Sequence, residues 1–99
     1  MTINKIMLHK KMTIALDGRL DTTTAPQLQD VLITSFEKSS EITLDFKELS
    51  YISSAGLRVL LAGHKTALAK NAALIITGVS DEILEVINMT GFSEFLTIE

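Results

Sequence analysis

Asp45-Phe46-Lys47-Glu48-Leu49-Ser50-Tyr51-Ile52-Ser53-Ser54-Ala55-Gly56-Leu57-Arg58-Val59-Leu60-Leu61 reads as the end of a strand, a short loop, and two small hydroxyl residues opening an amphipathic helix. A serine at such a junction sits where backbone N–H groups point outward and the helix dipole is positive. That position suits an anion or a covalently attached phosphate. A phosphate adds about −1.5 to −2 charge near neutral pH. On a 99-residue chain with a formal net charge of −3, that is a large local perturbation.

Outward from this stretch, strand and helix signals alternate. Glu41 to Phe46 predicts a strand, with Ile42, Leu44 and Phe46 on one side and Thr43 and Asp45 on the other. Ser54 to Lys70 predicts a helix that buries Leu57, Leu60, Leu61 and Leu68 and exposes Arg58, Lys65, Thr66 and Lys70. Ala72 to Thr77 is a short apolar run that reads as a central strand, and Gly78 turns the chain. Ser80-Asp81-Glu82 opens a further helix, with acids in the first turn and Ile83, Leu84, Val86 and Ile87 as its buried stripe. Gly91 is a natural helix stop, and Phe95 to Ile98 forms a last short edge strand.

On the N-terminal side, residues 2–8 and 12–17 predict two strands around an exposed His9-Lys10-Lys11 turn. Gly18 marks a bulge or bend before Leu20 and Asp21. Thr24 with Gln27 fits a capping box, with Pro26 tolerated in the first turn of a helix that ends at Lys38-Ser39-Ser40. The order is β-β-α-β-α-β-α-β, which predicts an α/β fold with a mixed sheet built from βαβ crossovers.

Composition narrows the classes. Hydrophobic residues make up 46% and charged residues 21%, enough for one small core and too apolar for disorder. The acidic balance argues against a general nucleic-acid binder. Without cysteine there are no disulfides, thiolate metal sites or cysteine nucleophiles. No run approaches the ~18 apolar residues of a membrane span. Ile6-Met7-Leu8 passes straight into His9-Lys10-Lys11, leaving no signal-peptide core, so the expected location is cytoplasmic.

The chemistry-bearing candidates each have a plain structural role beside the functional one. Ser53 or Ser54 as an N-cap contributes roughly 1 kcal/mol of helix stability. One cap would suffice, however, and Gly56 in a first turn costs about 1 kcal/mol against alanine. Ala55 and Gly56 leave the hydroxyl open to a bulky partner, and close approach of another backbone is one reason to keep the glycine. Asp21 is a strand-end acid that holds a turn. If its strand runs parallel to the one before Ser53, its loop adjoins the serine loop and its carboxylate is placed to accept from the serine hydroxyl and to repel a phosphate there. His9 and His64 carry no metal-ligand spacing. His64 lies roughly 15 Å down the helix from Ser54 at 1.5 Å per residue, which excludes a Ser-His-Asp triad. No phosphate-binding glycine motif occurs.

Tyr51-Ile52-Ser53-Ser54-Ala55-Gly56-Leu57, preceded by Leu44-Asp45-Phe46, resembles the phosphorylation loop of the STAS domain, the sulfate-transporter and anti-sigma-factor-antagonist domain. Leu16-Asp17-Gly18-Arg19-Leu20-Asp21 with Thr24-Ala25 resembles its first motif segment, and Thr77-Gly78-Val79 through Ile83, Ile87, Gly91 and Phe92 resembles its C-terminal helix. The three segments stand in the family's order and span nearly the whole chain. The resemblance implies a single STAS domain over residues 1–99, with a mixed sheet of four to five strands and helices packed mainly on one face.

In the antagonist branch the phosphorylated serine is two residues before the glycine, here Ser54. The family often has aspartate just before that serine and serine or threonine after it; this chain has Ser53 and Ala55. The resemblance implies partner switching. The unphosphorylated domain binds an anti-sigma factor that is also a serine kinase of the histidine-kinase-like ATPase type. Phosphorylation at Ser54 releases it, and a metal-dependent PP2C-type serine phosphatase resets it. The kinase brings ATP and Mg²⁺, so this chain is expected to hold no cofactor of its own, to be no enzyme, and to bind no nucleic acid. The expected contact surface is Asp21, Thr22, Thr23, Ser53, Ser54, Ala55, Gly56, Arg58 and Ala62. The alternative implied by the family is a constitutive docking subunit of a lipid-transport ATPase or of a stress-signalling scaffold. A hydrolase using Ser54 lacks a base.

Overall fold

The computed structural model covers residues 1–99. Its elements are β1 (Thr2–Leu8), β2 (Lys11–Leu20), α1 (Ala25–Phe36), β3 (Glu41–Ile52), α2 (Ser54–Ala69), β4 (Ala73–Thr77), α3 (Asp81–Met89), a 3₁₀ turn (Phe92–Glu94) and β5 (Thr97–Ile98). The order is the one predicted. The sheet runs β1-β2-β3-β4-β5, with β1 and β2 antiparallel and every later pair parallel. Each parallel step moves one strand further in the same direction. Right-handed crossovers therefore leave their helices on one face of the sheet.

Burial follows that arrangement. Ile14, Leu16, Ile42, Leu44, Phe46, Leu74 and Ile76 point under the helices and are buried, whereas Thr13, Thr43, Asp45 and Ile75 between them are exposed or half-buried. With Leu28 and Leu32 of α1, Leu57 and Leu60 of α2, and Ile83 and Ile87 of α3, they belong to one core of 22 buried residues.

The largest departure from expectation is β3, which continues through Ile52 where a loop was expected after Phe46. Pairing with β2 steps from Ala15↔Asp45 to Asp17↔Glu48, and from Gly18↔Leu49 to Arg19↔Tyr51, so β3 carries an extra residue at each irregularity. Each bulge breaks the period-2 alternation that marks a strand. The second lies beside Gly18, where a bulge was expected, and the Ser50 hydroxyl donates to the Gly18 carbonyl at 2.9 Å. β2 correspondingly extends to Leu20.

Smaller corrections concern helix faces and ends. Leu68 is exposed and Leu61 only half-buried; α2 instead buries Val59, Gly63 and Ala67 beside Leu57 and Leu60. The stripe is set by close approach to two neighbours. A Cβ on Gly63 would lie 3.1 Å from Leu74 of β4 and 3.2 Å from Leu32 of α1. In α3, Ile83 and Ile87 are buried, but Leu84 is half-buried and Val86 exposed. β4 lies next to the short edge strand β5, and β3 is the central strand. Phe95 precedes β5 and is exposed. The serine cap of α3 forms, with Ser80 accepting from the Ile83 N–H at 3.2 Å. No helix is long and apolar enough to cross a membrane.

Candidate functional site

Strands β2 and β3 run parallel, so their C-terminal ends deliver two loops to the same end of the sheet. The Ser53 N–H donates to the Leu20 carbonyl at 2.9 Å, tying the loops together. Ser53 is the N-cap of α2, in extended conformation, and its hydroxyl accepts from the Gly56 N–H at 3.4 Å. Ser54 is the first helical residue. It is exposed, and its hydroxyl makes no hydrogen bond within the chain. Its carbonyl accepts from Arg58 Nε at 3.3 Å, one turn further along.

Gly56 serves a different purpose from the one expected. It is buried, and a Cβ there would meet Leu20 Cγ at 2.7 Å and Ile52 Cγ1 at 3.0 Å. The missing side chain lets the first turn of α2 settle onto the ends of β2 and β3. Gly56 shapes the surface from beneath and offers no side chain to a partner.

Asp21 adjoins the serine loop, but it does not bond to either serine. Its Oδ1 accepts the Thr23 hydroxyl at 2.7 Å, the Thr23 N–H at 3.0 Å and the Thr24 N–H at 3.1 Å. These bonds, the Thr23 hydroxyl first, hold its carboxyl below the usual aspartate range. Arg19 Nε lies 3.8 Å from the other oxygen. The Thr24–Gln27 capping box does not form. The Thr24 hydroxyl accepts the Asp21 N–H and donates to the Arg19 carbonyl, both at 2.8 Å. Asp21 itself closes the start of α1, its carbonyl accepting the Ala25 N–H at 2.8 Å. Thr22 and Thr23 are left exposed at the tip.

Thr22, Ala25, Pro26, Gln29, Ala55, Arg58, Val59 and Ala62 line an open cleft of about 370 Å³ between α1 and α2. Four of the expected contact residues, Thr22, Ala55, Arg58 and Ala62, thus share one concavity beside Ser54. On the other side of the loop the Arg19 guanidinium stacks 4.0 Å from the centre of the Tyr51 ring. Both residues lie in the motif segments, but neither is among the expected contact residues. The pairing depends on the Arg19↔Tyr51 register, which exists only after both bulges in β3.

Chemically, this is an exposed hydroxyl at a helix N-terminus, with an open cleft beside it and no hydrogen bond to a base. No group of three or more His, Cys, Asp or Glu side chains converges on a metal-sized site anywhere in the chain.

Known proteins resemble this chain in sequence and in fold. Over 83 residues the chain is 28% identical to an anti-sigma-B factor antagonist of Listeria monocytogenes, covering 83% of this chain and 73% of that protein. The fold superimposes on an anti-sigma factor antagonist from Mycobacterium paratuberculosis with a TM-score of 0.87 at 17% identity, covering 98% of this chain and 83% of the other. It also superimposes on the phosphorylated form of the Bacillus cell fate determinant SpoIIAA with a TM-score of 0.78 at 20% identity, covering 99% and 91%. The STAS domain family model matches residues 2–99, and the chain belongs to that family.

Proposed function

We propose that this chain is an anti-sigma factor antagonist whose partner binding is switched by phosphorylation of Ser54. The observation that carries the reading is the division of labour between the two serines. Ser53 takes the cap, so Ser54 is free to be modified without unmaking the helix start. The relatives named as anti-sigma-B factor antagonists support the same reading.

In the unphosphorylated state the exposed side of α2 and the Asp21–Thr23 loop dock an anti-sigma factor serine kinase of the histidine-kinase-like ATPase type. Arg58, Ala62 and the Thr22 side of the cleft form the contact, and Ser54 sits at its edge. Phosphorylation introduces about −1.5 to −2 charge where a close interface must desolvate it. A loss of about 4 kcal/mol lowers affinity a thousandfold. The first-turn amides and the dipole of α2 favour the phosphate within the free domain, so release needs no refolding. A PP2C-type phosphatase restores the hydroxyl, and the cycle runs in the cytoplasm. The domain supplies no catalytic group.

The test is phosphorylation by the cognate kinase, followed by peptide mapping. The reading requires one phosphate per chain at Ser54 and none on Ser54→Ala. Modification at Ser53, or undiminished modification of Ser54→Ala, contradicts it.

A further inference from the structure

At the opposite end of β3 from Ser54, the chain holds a second concavity. Lys10 precedes β2, Lys38 to Ser40 precede β3, and Lys70 precedes β4, so three lysines from three different segments line one cleft of about 200 Å³. Backbone bonds fix the three segments relative to one another. The Ser40 N–H donates to the Lys10 carbonyl at 2.8 Å, and the Ala73 N–H donates to the Ser40 carbonyl at 3.0 Å.

Ser39 lines the same cleft. It is only 6% exposed, and its hydroxyl is the one buried side-chain polar atom in the chain with no hydrogen-bond partner. A buried hydroxyl without a partner costs free energy and calls for an explanation. The charge distribution supplies one. The lining carries three lysines against one carboxylate, Glu37, while Glu41 at the start of β3 is paired with Lys11 at 3.9 Å. On a chain of net charge −3 this is a local cationic excess.

We propose that this cleft binds a free phosphate-class oxyanion, held by Lys10, Lys38 and Lys70 with the Ser39 hydroxyl as a donor. A tetrahedral anion neutralises the three ammonium groups and accepts the bond that Ser39 lacks. The site is separate from the Ser54 switch and does not depend on it.

The test is an amide NMR titration of the full chain with inorganic phosphate, against sodium chloride at matched ionic strength. The expected result is saturable shifts at Lys10, Ser39, Ser40 and Lys70, absent with chloride. Ser39→Ala and Lys70→Gln should each weaken binding about tenfold while leaving the spectrum folded. Shifts that do not saturate, or that persist unchanged in both variants, mean an adventitious ion only and overturn the site. A parallel arm uses phosphatidylglycerol vesicles. A response to vesicles with none to free phosphate also overturns it, because the group recognised is then a lipid headgroup.

Discussion

The Ser53 hydroxyl accepts the Gly56 N–H across the first turn of α2, so the residue that starts the helix is not the residue expected to carry the phosphate. Removing each hydroxyl should therefore have different consequences. Ser53→Ala is expected to lower stability by about 0.5–1 kcal/mol, since the 3.4 Å contact is a long one. Ser54→Ala should stay within about 0.5 kcal/mol of wild type. Urea midpoints at constant slope decide it, and equal losses at the two positions would contradict the assignment of the cap.

Gly56 should resist substitution for a steric reason. Alanine gains about 1 kcal/mol in helix propensity, but overpacking against Leu20 and Ile52 costs about 1–3 kcal/mol. Gly56→Ala is thus expected to be destabilising by roughly 1 kcal/mol net. A stabilised Gly56→Ala in thermal unfolding would mean that Leu20 and Ile52 yield.

The loop around Asp21 should titrate below the ordinary aspartate range. The Thr23 hydroxyl, then the Thr24 N–H, favour the charged carboxylate and lower its pKa in the folded state. The stabilising contribution is therefore complete above the unfolded-state pKa, near 3.9, and is lost as pH falls through the lower folded value. Amide shifts of Thr23 and Thr24 followed against pH should show a midpoint under that of an unfolded aspartate, and Asp21→Asn should abolish the step. A midpoint at or above the ordinary value would contradict the hydrogen bonding described.

The faces of α2 give a direct packing test. Leu60→Ala, at a fully buried position, should cost about 2–5 kcal/mol, whereas Leu68→Lys should change stability by less than about 0.5 kcal/mol. Denaturant unfolding of both variants checks this; comparable losses would place Leu68 in the core.

Leu68 also shows where sequence reading ends. The order of strands and helices, the alternation at Ile42, Leu44 and Phe46, and the junction at Ser53-Ser54 are local signals, and the structure has them in place. What was not legible depends on neighbours far away in sequence. Hydrophobicity alone favours Leu61 and Leu68 over Gly63 and Ala67, and only the proximity of Leu32 and Leu74 explains the observed stripe. The run Lys47 to Ile52 resembled a loop because two bulges interrupt its alternation. The same bulges bring Arg19 onto Tyr51, and so hid that pair as well. At the site, the expectation that parallel strands would set the Asp21 loop beside the serine loop holds. Their hydrogen bonds were decided by loop geometry, which turned Asp21 inward to Thr23 and Thr24.

The most direct test of the central claim is a comparative pull-down from the native host with wild type, Ser54→Ala and Ser54→Asp, read by mass spectrometry. The account predicts that an ATPase-fold serine kinase is retained by wild type and Ser54→Ala and lost with Ser54→Asp. Recovery of the same partner by all three would contradict it, leaving Ser54 part of a constitutive docking surface.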